Sequence, residues 1–155
     1  MKYMIYNFEI GDIIIGEENQ KIILIDFYNQ FLTKKNNNDI KEETIIILKA
    51  YTELKEYFEG KRKVFNIPIE LKGTDFQKKV WKELLKIPYG ETRSYLDIAN
   101  YIGNPKASRA VGMANSKNNI MIVIPCHRVI GNNKKLVGYV GGLDIKEKLL
   151  NLEKT

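Results

Sequence analysis

The chain holds a single cysteine and a single histidine, and they are adjacent, Cys126 and His127. A thiolate is a strong nucleophile, and a neutral imidazole within reach accepts the thiol proton, so the pair points to covalent chemistry at sulfur. Consecutive side chains of an extended segment leave opposite faces, which predicts that the two communicate through a bridging water. The imidazole in turn needs an orienting acceptor, and Glu147 and Glu153 near the C-terminus both have the right chemistry. One cysteine makes no internal disulfide, and one Cys with one His falls short of a zinc ligand set, so neither metal nor cofactor is expected. Nor is there a second thiol to regenerate a modified Cys126, which predicts one turnover per molecule.

Something must hold that pair in place. Residues 120–124 (Ile-Met-Ile-Val-Ile) are an unbroken apolar run, expected to be a buried segment that delivers Pro125, Cys126, His127 and Arg128 to the edge of a core. Upstream, Thr74 is the expected N-cap of a helix over residues 75–87 with Phe76, Val80, Trp81, Leu84 and Leu85 on one face. A short helix from about Ser94 is ended by Gly103-Asn104-Pro105, and a third follows over residues 106–114. Two short helices joined by a Gly-containing turn fit a helix-turn-helix, and fit an αα-corner inside a small enzyme equally well. In the first half, β-branched and aromatic runs over residues 1–9, 12–16 and 21–28 predict a meander. A helix capped by Asp39 and ended by Gly60 comes next, with residues 65–68 as a short edge strand. The expected division is an N-terminal α/β lobe, residues 1–68, and a mostly helical second lobe, residues 69–155.

With 155 residues, 44% hydrophobic and 28% charged, the chain is that of a globular protein and not a collagen-like, disordered or disulfide-stapled one. No apolar run approaches the roughly 18 residues that a membrane helix needs. The first nine residues meet a charge too soon for a signal peptide, so a cytoplasmic protein without membrane contact is expected. The net charge of +6 is uneven: residues 1–68 carry −1 and residues 69–155 carry +7. A positive excess confined to one half suits a polyanion partner for that half.

Pro125-Cys126-His127-Arg128-Val129 resembles the active-site signature of the O6-alkylguanine-DNA alkyltransferases, the methylated-DNA–protein-cysteine methyltransferases. Residues 103–112 resemble that family's turn and recognition helix, and Gly138-Tyr139-Val140-Gly141-Gly142-Leu143 with residues 146–150 its closing loop and last helix. The similarity covers about residues 70–155. It implies an α+β fold: a small antiparallel sheet with a helix as a ribonuclease H-like lobe, then a mostly helical lobe with the helix-turn-helix. It also implies roles. Cys126 is then the alkyl acceptor, His127 its water-mediated base, Glu153 the carboxylate that orients the histidine, and Asn118 the brace of the active-site turn. Tyr95 helps rotate the nucleotide and donates a proton or hydrogen bond to the guanine. Arg109 fills the gap left in the base stack, Ser108 and Ala110 allow close approach at the minor groove, and Arg128 joins the DNA-binding set. Tyr139, Val129 and Val140 line the pocket.

The partner implied is double-stranded DNA carrying O6-alkylguanine, with O4-alkylthymine left open, bound by a monomer. The physical logic agrees: O6 of guanine is buried in the duplex, so a nucleophile on a fixed segment needs the base flipped out to it. Departures from the family pattern are Asn119, where proline usually follows the bracing asparagine, and Val140, at a position often small or polar. Three other readings compete. A non-catalytic sensor of alkylated DNA leaves Cys126 without purpose. A cysteine hydrolase leaves the basic half unexplained, and a transcription regulator makes the Cys-His signature a coincidence.

Overall fold

A computed structural model describes residues 1–33, 35–131 and 142–154. The contacts divide the chain into two compact units, Met1–Leu71 and Lys72–Thr155. Among the described residues no helix is long and apolar enough to cross a membrane.

The first unit is built on a four-stranded sheet in the order β3-β2-β1-β4. β1 (Lys2–Phe8) and β2 (Gly11–Glu18) form an antiparallel hairpin, and β3 (Lys21–Phe27) pairs antiparallel with β2. Asn19 and Gln20 between β2 and β3 both have positive φ, 53° and 64°, the pair that a two-residue primed turn requires to match strand twist. β2 is covered on both faces. Ile14 clusters with Tyr3 and with Phe31 of the short helix α1 (Tyr28–Leu32), while Ile13 and Ile15 alternate to the other face. Helix α2 (Ile45–Phe58) brings the buried Ile47, Ala50, Leu54 and Tyr57, and its Tyr51 stacks on Tyr6 at 4.2 Å between ring centroids.

Three expectations for this unit are corrected. Asp39 does not cap α2; Thr44 does, its hydroxyl accepting from Ile47 N at 3.2 Å. Residues after Asp39 are captured instead by β1: β4 (Ile40–Lys41) lies parallel to it, with Ile40 N donating to Met1 O and Glu42 N to Tyr3 O, both at 2.9 Å. The expected edge strand over 65–68 reduces to one bridge, Ile22 to Ile69, because only Pro68 O and Glu70 N reach Ile22. The strand expected over residues 21–28 ends at Phe27, and Tyr28 opens α1, a start that Phe27 marks with no side-chain cap.

The second unit is helical. α3 (Asp75–Leu84) opens with a full capping box between Thr74 and Gln77, and α4 (Tyr95–Tyr101) with one between Ser94 and Asp97. α5 (Ser108–Ser116) starts two residues later than expected, after Asn104 and Pro105, and has no side-chain cap. Trp81 on α3, 1% exposed, fastens α5 by donating Nε1–H to Ala114 O at 2.9 Å. α6 (Leu143–Leu152) closes the chain, and β5 (Arg93–Ser94) pairs in parallel with β6 (Val129–Ile130). The outcome is the α+β arrangement anticipated from the sequence.

The apolar run 120–124 is buried as expected but is not extended. Ile122 sits at φ 73°, Val123 N donates to Met121 O and Ile124 N to Ile120 O, both at 2.9 Å, so the run folds on itself. A β-branched residue in the left-handed region is strained, and here it lies just before Pro125 and Cys126.

Thr74→Ala removes the hydroxyl that accepts from Gln77 N at 3.1 Å and should lower unfolding stability by about 1 kcal/mol with an unchanged denaturant slope. Urea titration followed by Trp81 fluorescence measures both quantities.

Candidate active site

The fold of residues 115–128 is made by two asparagines. Asn118 accepts from Ile120 N through Oδ1 at 2.9 Å and donates from Nδ2 to Ile124 O at 2.7 Å, closing the turn that precedes the cysteine. Asn115 on α5, 2% exposed, donates from Nδ2 to Cys126 O at 3.3 Å. Cys126, His127 and Arg128 then form one turn of 3₁₀ helix, not the extended segment expected. Three residues per turn splay three consecutive side chains in three directions, so Cys126 and His127 are separated by the turn and not by a strand's two faces. Cys126 is 4% exposed and His127 fully buried.

Glu153, the residue that ends α6, supplies the acceptor. Its Oε2 lies 2.6 Å from His127 Nε2, and Arg128 donates from Nε to Oε1 at 2.7 Å and from Nη2 to Oε2 at 3.1 Å. Gly90 N adds a donor to Oε1 at 3.3 Å. Glu147, the other candidate acceptor, is exposed one helical face away. An ionised carboxylate only accepts, so Nε2 must carry the imidazole hydrogen, and Nδ1 is left with its lone pair. Nδ1 is buried and has no hydrogen-bond partner among the described residues. Burial, with help from the cations of Arg128 and Lys146, pushes the His127 pKa below 6.5 against the opposing pull of Glu153. The ring is therefore neutral at neutral pH, with its bare nitrogen free to take a proton.

Arg128, expected among the DNA-contacting residues, is turned inward. Besides Glu153 it bonds Ile87 O through Nη1 at 2.7 Å, lies over the Tyr89 ring and is 6% exposed. The 3₁₀ turn sends it to the buried carboxylate, where a planar fork meets two oxygens. Its guanidinium holds the site together from within and does not reach the surface.

Tyr95 is the first residue of α4 and is half-buried. Burial raises its pKa, the neighbouring Cys126 raises it further, and the nearby Asn115 amide acts the other way. Ser108, Arg109 and Ala110 occupy the first turn of α5, with Arg109 and Ala110 exposed, and no described interaction brings them to Cys126. Val129 is buried beside the 3₁₀ turn. Tyr139 and Val140 lie outside the described residues.

Two residues at the site were assigned no role from the sequence. Asn115 is one. Lys146 is the other: fully buried, it donates from Nζ to Val129 O at 2.5 Å and lies 6.0 Å from the Tyr95 ring centroid. Burial pushes its pKa down from 10.5 to about 8, and the nearby Cys126 opposes that shift. The signal for Lys146 was available: Lys146, Leu149 and Glu153 are spaced by three and four and share one helical face. A cation beside a thiol favours the thiolate, so the Lys146 ammonium lowers the cost of ionising Cys126.

Two predictions follow from the buried charges. Glu153→Gln leaves Arg128 buried without its counter-charge and should cost about 3–5 kcal/mol, with Arg128→Met in the same chain restoring part of it; equilibrium unfolding of the three proteins decides this. For Lys146, the folded amine loses its proton above about pH 8 while the unfolded one keeps it to 10.5, so the unfolded state binds more protons in that window. Wild type should therefore gain stability relative to Lys146→Met as pH rises from 8 to 10.5, read from parallel urea titrations.

Comparison with known proteins places this geometry. Residues 1–71 match the ribonuclease-like domain of 6-O-methylguanine DNA methyltransferase, and residues 75–155 match the DNA-binding domain of the same family. The methylated-DNA–protein-cysteine methyltransferase of Methanosarcina acetivorans is 46% identical over 153 residues, covering 99% of this chain and 98% of that protein. The constitutive enzyme of that name from Bacillus subtilis is 47% identical over 154 residues, 94% of this chain and 90% of that one. The crystal structure of Mycobacterium tuberculosis OGT in complex with DNA superposes with a TM-score of 0.93 at 42% identity, covering 99% of this chain and 93% of that chain. With both lobes matched and the Cys-His-Glu arrangement in place, the chain belongs to the 6-O-methylguanine DNA methyltransferase family.

Proposed function

We propose that this protein repairs DNA by moving the alkyl group of O6-alkylguanine in double-stranded DNA onto Cys126, once per molecule. The observation that carries the reading is the buried, neutral His127, pinned through Nε2 by Glu153 and bare at Nδ1, beside the chain's one thiol. A water relays the thiol proton to Nδ1. The thiolate attacks the alkyl carbon, a sulfur–carbon bond forms as the carbon–O6 bond breaks, and the electron pair leaves on guanine. Tyr95 donates a proton or hydrogen bond to the departing base, which eases its exit.

Access to O6 requires the nucleotide to leave the stack, and α4 and α5 act as the helix-turn-helix that brings this about. The exposed first turn of α5 enters the minor groove, Arg109 fills the vacated stack, and the small Ser108 and Ala110 let the helix come close. Tyr139, Val129 and Val140 wall the pocket. The protein works as a monomer in the cytoplasm, and the charge of +7 on residues 69–155 draws that half to the phosphates. A thioether cannot be reversed by any group in the chain, so the reaction ends there.

Intact-protein mass spectrometry after incubation with an O6-methylguanine duplex tests the reading. The expected result is replacement of one hydrogen by one methyl group at Cys126, absent in Cys126→Ser. Tight binding of the lesion duplex with no mass change would replace transfer with sensing. Because the folded His127 pKa lies below 6.5, the single-turnover rate should hold across neutral pH and fall only on acidification below that value, as the imidazole gains its proton. A rate that already fell between pH 8 and 7 would remove His127 from the role of base.

A further inference from the structure

The residue that orients His127 stands at a weak place in its helix. Glu153 is the C-cap of α6, and the last turn of a helix has carbonyls without partners inside the helix and frays unless other parts of the chain hold it. A short segment between α3 and β5 does the holding. Ile87 O accepts from Arg128 Nη1 at 2.7 Å, and Arg128 Cζ lies 5.7 Å from the Tyr89 ring centroid. Tyr89 donates its hydroxyl hydrogen to Leu152 O at 3.4 Å, and Gly90 N donates to Glu153 Oε1 at 3.3 Å. Residues 87–90 thus grip both Arg128 and the end of α6.

Gly90 meets two separate demands there. It takes the third place of a turn that Glu91 N closes on Pro88 O at 3.1 Å, with φ 82°, the left-handed value that a type II turn needs at that place and that glycine adopts without strain. Any turn of this kind would ask for that. The second demand is particular to this site: a Cβ on residue 90 would stand 3.1 Å from Glu153 O, tighter than ordinary van der Waals contact and against backbone, which yields less than the end of a side chain. We propose that Gly90 is a positioning residue for alkyl transfer: its missing Cβ lets the turn close on the end of α6, and its N–H holds Glu153 Oε1 so that Oε2 stays against His127 Nε2 and Nδ1 stays bare.

The carboxylate divides its oxygens accordingly. Oε1 takes Arg128 Nε at 2.7 Å and Gly90 N at 3.3 Å, and Oε2 lies 2.6 Å from His127 Nε2. A Cβ at residue 90 would push Glu153 O back by a few tenths of an ångström, and the carboxylate borne by the same residue moves with it. The charged groups that act on the imidazole are Glu153, Arg128 and Lys146, and Tyr89 faces Glu153 and Arg128 in turn. Of these Glu153 is the one that raises the His127 pKa, so a looser Glu153 lets that pKa fall further and lets the ring hydrogen exchange between Nε2 and Nδ1. Gly90 touches no reacting atom and acts through Glu153 and His127.

The effect on rate rests on the alkyl-transfer reading; the effect on the histidine does not, and the experiment reads both. The chain holds one histidine, so NMR of isotope-labelled imidazole nitrogens reports its tautomer without assignment. Wild type, Gly90→Ala and Gly90→Asn are compared by that spectrum, by urea unfolding and by single-turnover transfer from an O6-methylguanine duplex across acid and neutral pH. Asparagine tolerates positive φ better than alanine but carries the same Cβ, so it meets the demand of the turn and not that of Glu153. A misplacement of ~1 Å costs roughly 100-fold in rate, so a few tenths should slow transfer by about threefold to tenfold in both variants. In both, the acid limb of the rate should move to lower pH and the spectrum should show the Nδ1–H tautomer mixing in, while Gly90→Asn recovers part of the stability that Gly90→Ala loses. Wild-type rate and tautomer in the variants, slower transfer with the tautomer unchanged, or recovery of rate along with stability in Gly90→Asn would each overturn the role of Gly90 and leave transfer to Cys126 standing. A wild-type protein that gained no methyl group would overturn alkyl transfer, and the tautomer would still decide whether Gly90 sets His127.

Discussion

One buried carboxylate organises the site. Glu153 binds the imidazole of His127 and the guanidinium of Arg128 together, and a lone anion at that depth would be untenable. Arg128 supplies the counter-charge, which lets His127 remain neutral beside an anion. With neither cation nor carboxylate left over, the hydrogen on Nε2 is held in place and Nδ1 becomes the basic atom. The bond from Arg128 to Ile87 O ties the same cluster to the end of the α3 region, so the base is oriented by three separate parts of the second unit. This is also why the arginine of the signature is turned inward: its place in the chain suits the surface less than its charge suits the carboxylate.

The cysteine turn shows a second constraint. Delivering a nucleophile from a buried apolar run is done here by folding the run and not by extending it. Ile122 takes up a left-handed conformation, and Asn118 bonds both ends of the loop, so the strain is held by two hydrogen bonds at 2.9 and 2.7 Å. The 3₁₀ turn that follows sends Cys126 and His127 in different directions from adjacent positions. α6 contributes both Glu153 and Lys146 from one face, so a single helix supplies the group that orients the base and a cation for the thiol.

α5 has an exposed side and a buried side. Arg109 and Ala110 are exposed on its first turn, while Ala114 O, the acceptor of the Trp81 indole, and Asn115 are buried. Trp81 holds the helix against α3, and a shift of α5 would be felt at the Cys126 carbonyl through Asn115. Nine residues of helix thus join an exposed first turn to the buried Asn115 without a loop between them.

Much of this was legible in the residues alone. Local rules sufficed where the partner is a near neighbour: Thr74 and Ser94 cap the helices that their sequences announce, and apolar spacing finds α2, α3 and the buried run at 120–124. The adjacency of Cys126 and His127, and the absence of other Cys or His, determined the kind of chemistry without any fold. Local rules failed where distant backbone won: β1 captured residues 40–41 and moved the start of α2 from Asp39 to Thr44, because a pairing partner 38 residues away is not written beside it. Residue chemistry alone left Glu147 and Glu153 equal; only the docking of the end of α6 against the 3₁₀ turn distinguishes them geometrically. Arg128, Lys146 and Asn115 took their places the same way. Their side chains are long or polar enough for either surface or interior, so sequence determined what they can bond, and tertiary packing decided which partner was buried within reach.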